Sequence, residues 1–424
     1  MDHATNGARA NVAVLGGGFG GLEAAFYLRM KLGERANITL VSDKDYFLFK
    51  PNTIYIPFGL DPEKLKVGLR RPTRRKKITF VKDRVHEVDS DSKRVRTEGR
   101  ELSYDYLVVA TGADMRPEEV PGLRENAETI WTPHEMLALR LALYELLEEA
   151  REGKHRRVHF LVAPNNKCAG PLYELVFMLD TWLRRKKVRA SVDLTWSTYE
   201  QTYIQAFGPR LHDHVVSEFE RRVIAGHTNY VAERVQPGEV RYENGETLTY
   251  DLLITFSPYV AEMTYPKLPG DDRGFIRTDL ATRQVAGQPD IYAVGDAGDF
   301  PVKQAFLALL QADAAAEHLS ARVLGTEPEF GFEPTSMCVM EQFDKATFAQ
   351  VPLRLTGVPE RPIEVDPADL GACKVGSYAA WRLGKKALGY YLPFRFGLGN
   401  PLHAGVPWKG MEIGLKVMSG VLAK

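Results

Sequence analysis

Apolar positions along this chain alternate between two periods. Asn11-Val-Ala-Val-Leu15 is an apolar, β-branched run that predicts a strand. Over 22–31 the spacing changes to helical, with Leu22, Ala25, Phe26 and Leu28 on one face. Asn37-Ile-Thr-Leu-Val41 predicts a second strand. Further strands are expected at 104–113, 158–163, 191–195 and 290–294, and a long helix over 304–319. Strands alternating with helices predict an α/β fold with parallel sheets. Between the first strand and its helix lies Gly16-Gly17-Gly18-Phe19-Gly20-Gly21, a G-x-G-x-x-G spacing. In that context Gly16 serves the tight turn, Gly18 lets the backbone approach a pyrophosphate, and Gly21 lets the helix pack close. The helix N-terminus offers free N–H groups to the phosphates. Asp43 follows the second strand, 22 residues after Gly21, near the spacing of a ribose-binding carboxylate. A dinucleotide site follows from these features together.

A chain of 424 residues allows two or three domains. With 44% hydrophobic and 26% charged residues it has the composition of a folded protein, not a disordered one. Lys+Arg and Asp+Glu are 55 each, and a net charge of zero argues against a nucleic-acid binder. Three cysteines cannot build a disulfide framework, so any disulfide is expected to be catalytic. The first residues carry no signal-peptide pattern, and no window approaches the ~18 apolar residues of a membrane span. The cluster over 70–77 predicts a solvated basic loop. Neutrality breaks down at the end of the chain. Over 381–424 there are seven basic residues (Arg382, Lys385, Lys386, Arg395, Lys409, Lys416, Lys424) and one acid, Glu412. Tyr390, Tyr391, Phe394, Phe396 and Trp408 are interleaved with them, and 411–422 predicts a short amphipathic helix. That combination fits an interfacial membrane anchor, and equally a helix packed on its own domain with a cationic outer face.

The second βαβ unit departs from the first. Val158-His-Phe-Leu-Val-Ala163 predicts its strand, but Pro164-Asn-Asn-Lys-Cys168-Ala-Gly170-Pro-Leu-Tyr-Glu174 follows, and of the fingerprint only Gly170 remains. The next strand, Ser191-Val-Asp-Leu-Thr195, ends in Trp196-Ser197-Thr198, with no acid there for a nicotinamide ribose. The βαβ shape is expected to persist without its pyrophosphate cradle, so NADH is not the expected electron donor. Cys168 stands at the strand-to-helix turn, where helix N–H groups are expected to lower its pKa.

Tyr104-Asp-Tyr-Leu-Val-Val-Ala-Thr-Gly-Ala113 and Asp290-Ile-Tyr-Ala-Val-Gly-Asp-Ala-Gly298 resemble segments of the flavoproteins with two dinucleotide-binding domains. Three further stretches resemble the sulfide:quinone oxidoreductase family more narrowly. They are Phe47-Leu-Phe-Lys-Pro51-Asn52, Lys167-Cys168-Ala-Gly-Pro-Leu-Tyr-Glu174, and Thr335-Ser-Met-Cys338-Val-Met-Glu-Gln-Phe343. The resemblance runs from about residue 10 to the end of the chain and is looser after residue 340.

The resemblance implies two interleaved Rossmann-like domains, with 1–118 and 270–325 binding FAD and 119–269 lacking the NAD fingerprint. It assigns 326–424 to a C-terminal region facing quinone and membrane. Non-covalent FAD would be held by Gly16, Gly18, Gly21, Asp43, Pro51, Thr111, Gly112 and Asp296. Lys303, at the start of the helix after Asp296, would add charge beside the flavin. Cys168 and Cys338 would form the redox pair, with sulfur added at Cys168 and Cys338 nearer the flavin. Glu174 would move protons. Lys385, Lys386, Tyr391 and Phe394 are the candidates for the wall of a quinone pocket. The implied partners are sulfide, a membrane quinone and a membrane surface, with peripheral attachment to the cell membrane and no metal. A homo-oligomer is left open. Trp131 stands where many members have a third cysteine, so no flavin thioether is expected there, and Cys373 matches no family position. The alternatives are an NADH:quinone or sulfide:cytochrome c oxidoreductase of the same superfamily, or a non-catalytic flavin redox sensor.

Overall fold

A computed structural model describes residues 9–358 and 361–423. Lys424, one of the seven basic residues of the tail, lies outside them. Ala10–Leu15 is the centre of a six-stranded sheet ordered Gln284–Val285, Gln288–Ala293, Tyr106–Val109, Ala10–Leu15, Ala36–Ser42, Thr79–Lys82. All pairings are parallel except the hairpin at the 284–293 edge. Both faces of the central strands are buried, which is why Val12, Val14, Leu15, Leu107, Val108 and Val109 form unbroken apolar runs. Helix Phe19–Leu32 packs against helix Ala305–Leu324, where Ala24, Ala25, Ala312, Ala315 and Ala316 let the two backbones come close.

A second parallel sheet is ordered Glu128–Thr129, Leu252–Phe256, Arg156–Val162, Val192–Thr198, Ile224–His227. Helix Pro133–Arg151 begins with a capping box, in which Thr132 Oγ1 accepts the Glu135 N–H and Glu135 accepts the Thr132 N–H. Helix Gly170–Arg185 follows the strand Arg156–Val162 across the turn that carries Cys168. The chain then forms an antiparallel sheet from Thr335–Glu341, Ala346–Leu355, Ile363–Val365 and Lys374–Tyr378. Helices Ala379–Gly397 and Gly405–Leu422 close it. Among the described residues no helix is long and apolar enough to cross a membrane.

Three local expectations change. The basic cluster is not a solvated loop: Arg70–Arg75 is a helix that buries Pro72 and Thr73. The second strand of the second unit runs to Thr198, three residues beyond the expected Thr195, so the residues just past it are Tyr199 and Glu200. An acid therefore does follow that strand, at a place comparable to Asp43 after Ser42. Apolar burial of Trp196 and full burial of Ser197 and Thr198 extend the strand, which residue type alone did not reveal.

Candidate active site

The first turn is built for a phosphate. Gly16 has φ of 112°, and a Cβ there would lie 2.2 Å from the Ala110 carbonyl oxygen. A Cβ on Gly21 would lie 1.9 Å from the Gly16 oxygen, so only glycine allows the helix this close. Gly18 differs: a Cβ there would meet nothing within 4 Å, and its backbone borders open space. The helix beginning at Phe19 has no side-chain cap and no acid in its first turn, which leaves its N–H groups for an anion. Asp43 is exposed just past Ser42. Thr111 and Gly112 follow the strand Tyr106–Val109, with Gly112 at φ 87° and the Thr111 hydroxyl bonded by Tyr265. Pro51 lies in the 3₁₀ segment Lys50–Phe58.

Asp296 sits in the turn Gly295–Ala297, and among the described residues its carboxylate accepts no protein hydrogen bond. Burial pushes its pKa up, opposed by the charges of Lys303 and Lys50. An open glycine cradle, an uncapped helix and a carboxylate with free acceptors fit the pyrophosphate and polyhydroxyl chain of FAD. Lys303 is not a solvated first-turn lysine. It is 4% exposed, donates to the Gly298 carbonyl, and lies 3.8 Å from the Phe275 ring centroid. Burial pulls its pKa down to about 7.

Cys168 and Cys338 come from turns and strands 170 residues apart, and both are half-buried free thiols. Both pack against the same buried hydrophobic cluster, and Asp296 is among the groups that raise the Cys168 pKa. Burial pushes both thiols up to about 12. The expected lowering of Cys168 by helix N–H groups is therefore overturned: the Gly170 N–H does oppose the shift, but loss of water outweighs it. Asn166 shapes the turn. Its Oδ1 accepts the Cys168 N–H at 2.9 Å, and its Nδ2 donates to the carbonyls of Phe256 and Ser257. Asn165 holds φ of 62°, a conformation asparagine tolerates, where a fingerprint glycine would otherwise stand. The Trp131 ring lies 5.5 Å from that of Tyr259, with Lys50 Nζ 3.3 Å from its centroid. Cys373 is buried elsewhere, its carbonyl held by Arg210.

Residues 10–158 match the family model for pyridine nucleotide-disulphide oxidoreductases. The sulfide-quinone reductase of Aquifex aeolicus is 30% identical over 267 residues, covering 61% of this chain and 60% of that protein. The mitochondrial sulfide:quinone oxidoreductase of Mus musculus is 25% identical over 309 residues, covering 69% and 66%. The matches thus span about two thirds or less of these relatives. The solved structure of the Aquifex aeolicus sulfide:quinone oxidoreductase superposes with a TM-score of 0.85 at 23% identity, covering 96% of each chain. In sequence and in fold the chain is similar to these sulfide:quinone oxidoreductases.

Glu174 is not a free acid. It is 6% exposed; Oε1 accepts the Glu341 N–H at 2.6 Å and the Lys385 ammonium. Lys385 also donates to the Val339 carbonyl at 3.1 Å. Burial pulls the Lys385 pKa down to about 7. One helical turn earlier, Arg382 pairs with Glu341 at 2.6 Å, and Tyr55 donates to the same carboxylate at 2.7 Å. Two ion pairs thus tie helix Ala379–Gly397 to the strand bearing Cys338 and to helix Gly170–Arg185. Of the other quinone candidates, Lys386 and Phe394 are exposed, and Tyr391 is half-buried with its hydroxyl unpartnered.

Half of the tail's described basic residues turn inward: Lys385 and Arg382 are paired, and Arg395 donates to the carbonyls of Pro401 and Ala404. Lys386, Lys409 and Lys416 stay exposed, Lys416 paired with Glu412 at 2.8 Å. Apolar side chains reach the surface beside them: Leu383, Tyr390, Phe394, Val406, Ile413, Val417 and Val421 are each 62% to 82% exposed. Sequence reasoning also missed Glu200 and Tyr259, because their nearness to Cys168 depends on loops folding back from two different strands.

Proposed function

We propose that this chain oxidises sulfide to sulfane sulfur through Cys168 and Cys338 and passes two electrons by way of FAD to a membrane quinone. The observation that carries the reading is that Cys168 and Cys338, 170 residues apart in sequence, pack against one buried hydrophobic cluster, with Asp296 among the groups acting on Cys168. The pair would cycle between dithiol and disulfide. Sulfide attacks the Cys168 sulfur, the Cys168–Cys338 bond breaks, and a persulfide on Cys168 and a thiolate on Cys338 result. Gly16, Gly18 and Gly21 would cradle the pyrophosphate, Asp43 the ribose, and Asp296 the ribityl hydroxyls; Thr111, Gly112, Pro51 and Lys303 surround the ring. When bound, FAD supplies the carrier that takes two electrons from the cysteine pair and hands them on. Trp131 in place of a third cysteine supports a flavin held without a covalent bond.

NADH is not the proposed donor. Lys167 and Cys168 stand where the second pyrophosphate cradle would be, and the Glu200 oxygens are taken by Thr198 and the Gln205 N–H. The exposed apolar face of the last two helices supports peripheral contact with a membrane, with Lys385, Lys386, Tyr391 and Phe394 near a quinone's entry. The test is an anaerobic titration of the flavin-loaded protein. Sulfide should bleach the flavin absorbance, an added quinone should restore it, and NADH should leave it unchanged. Bleaching by NADH with sulfide inert overturns the reading.

A further inference from the structure

The basic run over 70–77 plays no part in the site described above, and it is folded. Helix Arg70–Arg75 turns Pro72 and Thr73 inward, and the Thr73 hydroxyl donates to the Leu69 carbonyl at 2.7 Å. Arg71, Arg74 and Arg75 are spaced i, i+3 and i+4, so they share the other face, and all three are exposed. Their neighbours in the run are already engaged. Arg70 lies 4.0 Å from Asp45, Lys76 donates to Asn400 Oδ1 at 2.7 Å, and Lys77 pairs with Glu34 at 2.8 Å. Among the described residues the guanidinium groups of Arg71, Arg74 and Arg75 enter no ion pair and no hydrogen bond. Three like charges on one helix face repel one another, and an anion laid across them removes that repulsion.

The place of this face in the fold identifies the anion. Helix Ala379–Gly397 exposes Leu383, Lys386, Tyr390 and Phe394, spaced three or four apart, as one outward stripe. Gly397 is the next position of that stripe. A Cβ there would lie 3.7 Å from Val67 Cγ1, on the strand Lys66–Gly68 just before the basic helix. Two residues on, a Cβ on Gly399 would lie 2.9 Å from the Pro72 carbonyl oxygen and 2.6 Å from Lys76 Cγ. The arginine-bearing helix therefore abuts the end of the stripe. A free anion or an acidic peptide would use the arginines and leave the stripe in water. A lipid surface uses both, since guanidinium forks match phosphate oxygens while the aliphatic and aromatic side chains enter the interface beside them.

We propose that Arg71, Arg74 and Arg75 form a docking site for anionic phospholipid headgroups at the edge of the membrane-facing helices. This site rests on the peripheral membrane contact proposed above and names its lipid. The apolar stripe supplies insertion into any bilayer, and the arginines supply the choice of an anionic one. The two contributions respond differently to salt: screening weakens contacts between exposed charges and leaves apolar burial in place.

The experiment is co-sedimentation of the full, flavin-loaded chain with two kinds of vesicle, phosphatidylcholine alone and an equal mixture of phosphatidylcholine and phosphatidylglycerol. Wild type should favour the anionic vesicles about 10-fold at low salt, and high salt should remove that preference while binding to phosphatidylcholine changes little. The triple variant Arg71→Gln, Arg74→Gln, Arg75→Gln should lose the preference and keep wild-type binding to phosphatidylcholine. The triple variant Arg71→Lys, Arg74→Lys, Arg75→Lys, which keeps the charge, should retain most of the preference. Wild type that binds both vesicles equally, or a glutamine variant that keeps its preference, overturns the arginine site and leaves the membrane contact standing. A glutamine variant weakened equally on both vesicles also overturns the site, since the arginines would then serve the fold. Wild type that sediments with neither vesicle overturns the membrane contact, and the site with it.

Discussion

A thiol whose pKa lies near 12 is almost wholly protonated at neutral pH, so the reduced Cys168–Cys338 pair is chemically quiet. Raising a thiol from 9 to about 12 lowers its thiolate fraction roughly 10³-fold. Alkylation of both cysteines in the folded, reduced protein should therefore be slower than that of a free thiol by about that factor at pH 8. Labelling at the free-thiol rate would mean the crevice is wet. In the function proposed above, the same burial would make a disulfide, not the thiolate, the reactive form. Cys168→Ala and Cys338→Ala should each abolish flavin reduction by sulfide while flavin stays bound, and Cys373→Ala should be nearly silent. An active Cys338→Ala enzyme would refute the pairing. Trp131 bears on the same scale: it packs on Tyr259, and the proposal above has the flavin held without a covalent bond. Denaturation should thus release FAD with no flavin mass left on any peptide.

Between elements, helices Phe19–Leu32 and Ala305–Leu324 and the C-terminal segment meet at one buried cluster. Glu23 on helix Phe19–Leu32 accepts the Leu402 N–H with both oxygens, at 2.8 Å each. Asp313 on helix Ala305–Leu324 meets His403, which links the last two helices. The donor atoms of Glu23, Asp313 and His403 lie within 4.8 Å of one another. Burial pushes Asp313 up to about 8 and Glu23 up as well, so the fold favours their protonated forms. A carboxyl raised in the folded state contributes stability that is complete below its unfolded pKa, about 4, and lost as pH rises through about 8. The stability difference between wild type and Asp313→Asn should therefore shrink or reverse from about pH 4 to about pH 8, as read by denaturant titration. A difference independent of pH would assign the proton elsewhere. This clasp joins residues 290 and 380 positions apart in sequence to the helix that carries Gly21.

At the scale of the whole molecule, the main asymmetry is the C-terminal face. Arg382, Lys385 and Arg395 turn inward, Lys386, Lys409 and Lys416 stay exposed, and a larger number of aliphatic and aromatic side chains turn out beside them. Contact with a lipid surface would then rest on apolar insertion more than on charge. Replacing Val406, Ile413, Val417 and Val421 with serine should release the protein from liposomes. High salt should weaken the wild-type contact only modestly, since screening acts on exposed charges. Sulfide should still reduce the flavin of that variant, because the cysteines lie in the crevice behind helix Ala379–Gly397. Strong salt dependence with no effect of the serine substitutions would restore the cationic anchor expected from the residue count.

The parts legible in sequence were those set by local pattern. Strand, glycine turn and helix follow one another over 10–32, and Gly16 and Gly21 are each required by a close backbone contact, so the dinucleotide turn could be read directly. Loss of the second fingerprint was legible for the same reason. Burial and long-range pairing were not legible. Helix N–H groups near Cys168 pointed to a lower pKa, but desolvation by segments distant in sequence raised it. Seven basic residues pointed to a cationic surface, but partners such as Glu174 and Glu341, more than 40 positions away, drew two of them inside. Glu200 went unseen because the extent of its strand depended on burial of Trp196, Ser197 and Thr198 against the rest of the second sheet. Sequence alone decides which groups a turn can hold. Only the tertiary structure decides how much water reaches them and which charge stands beside each, and these two quantities set every pKa on which the proposed chemistry depends.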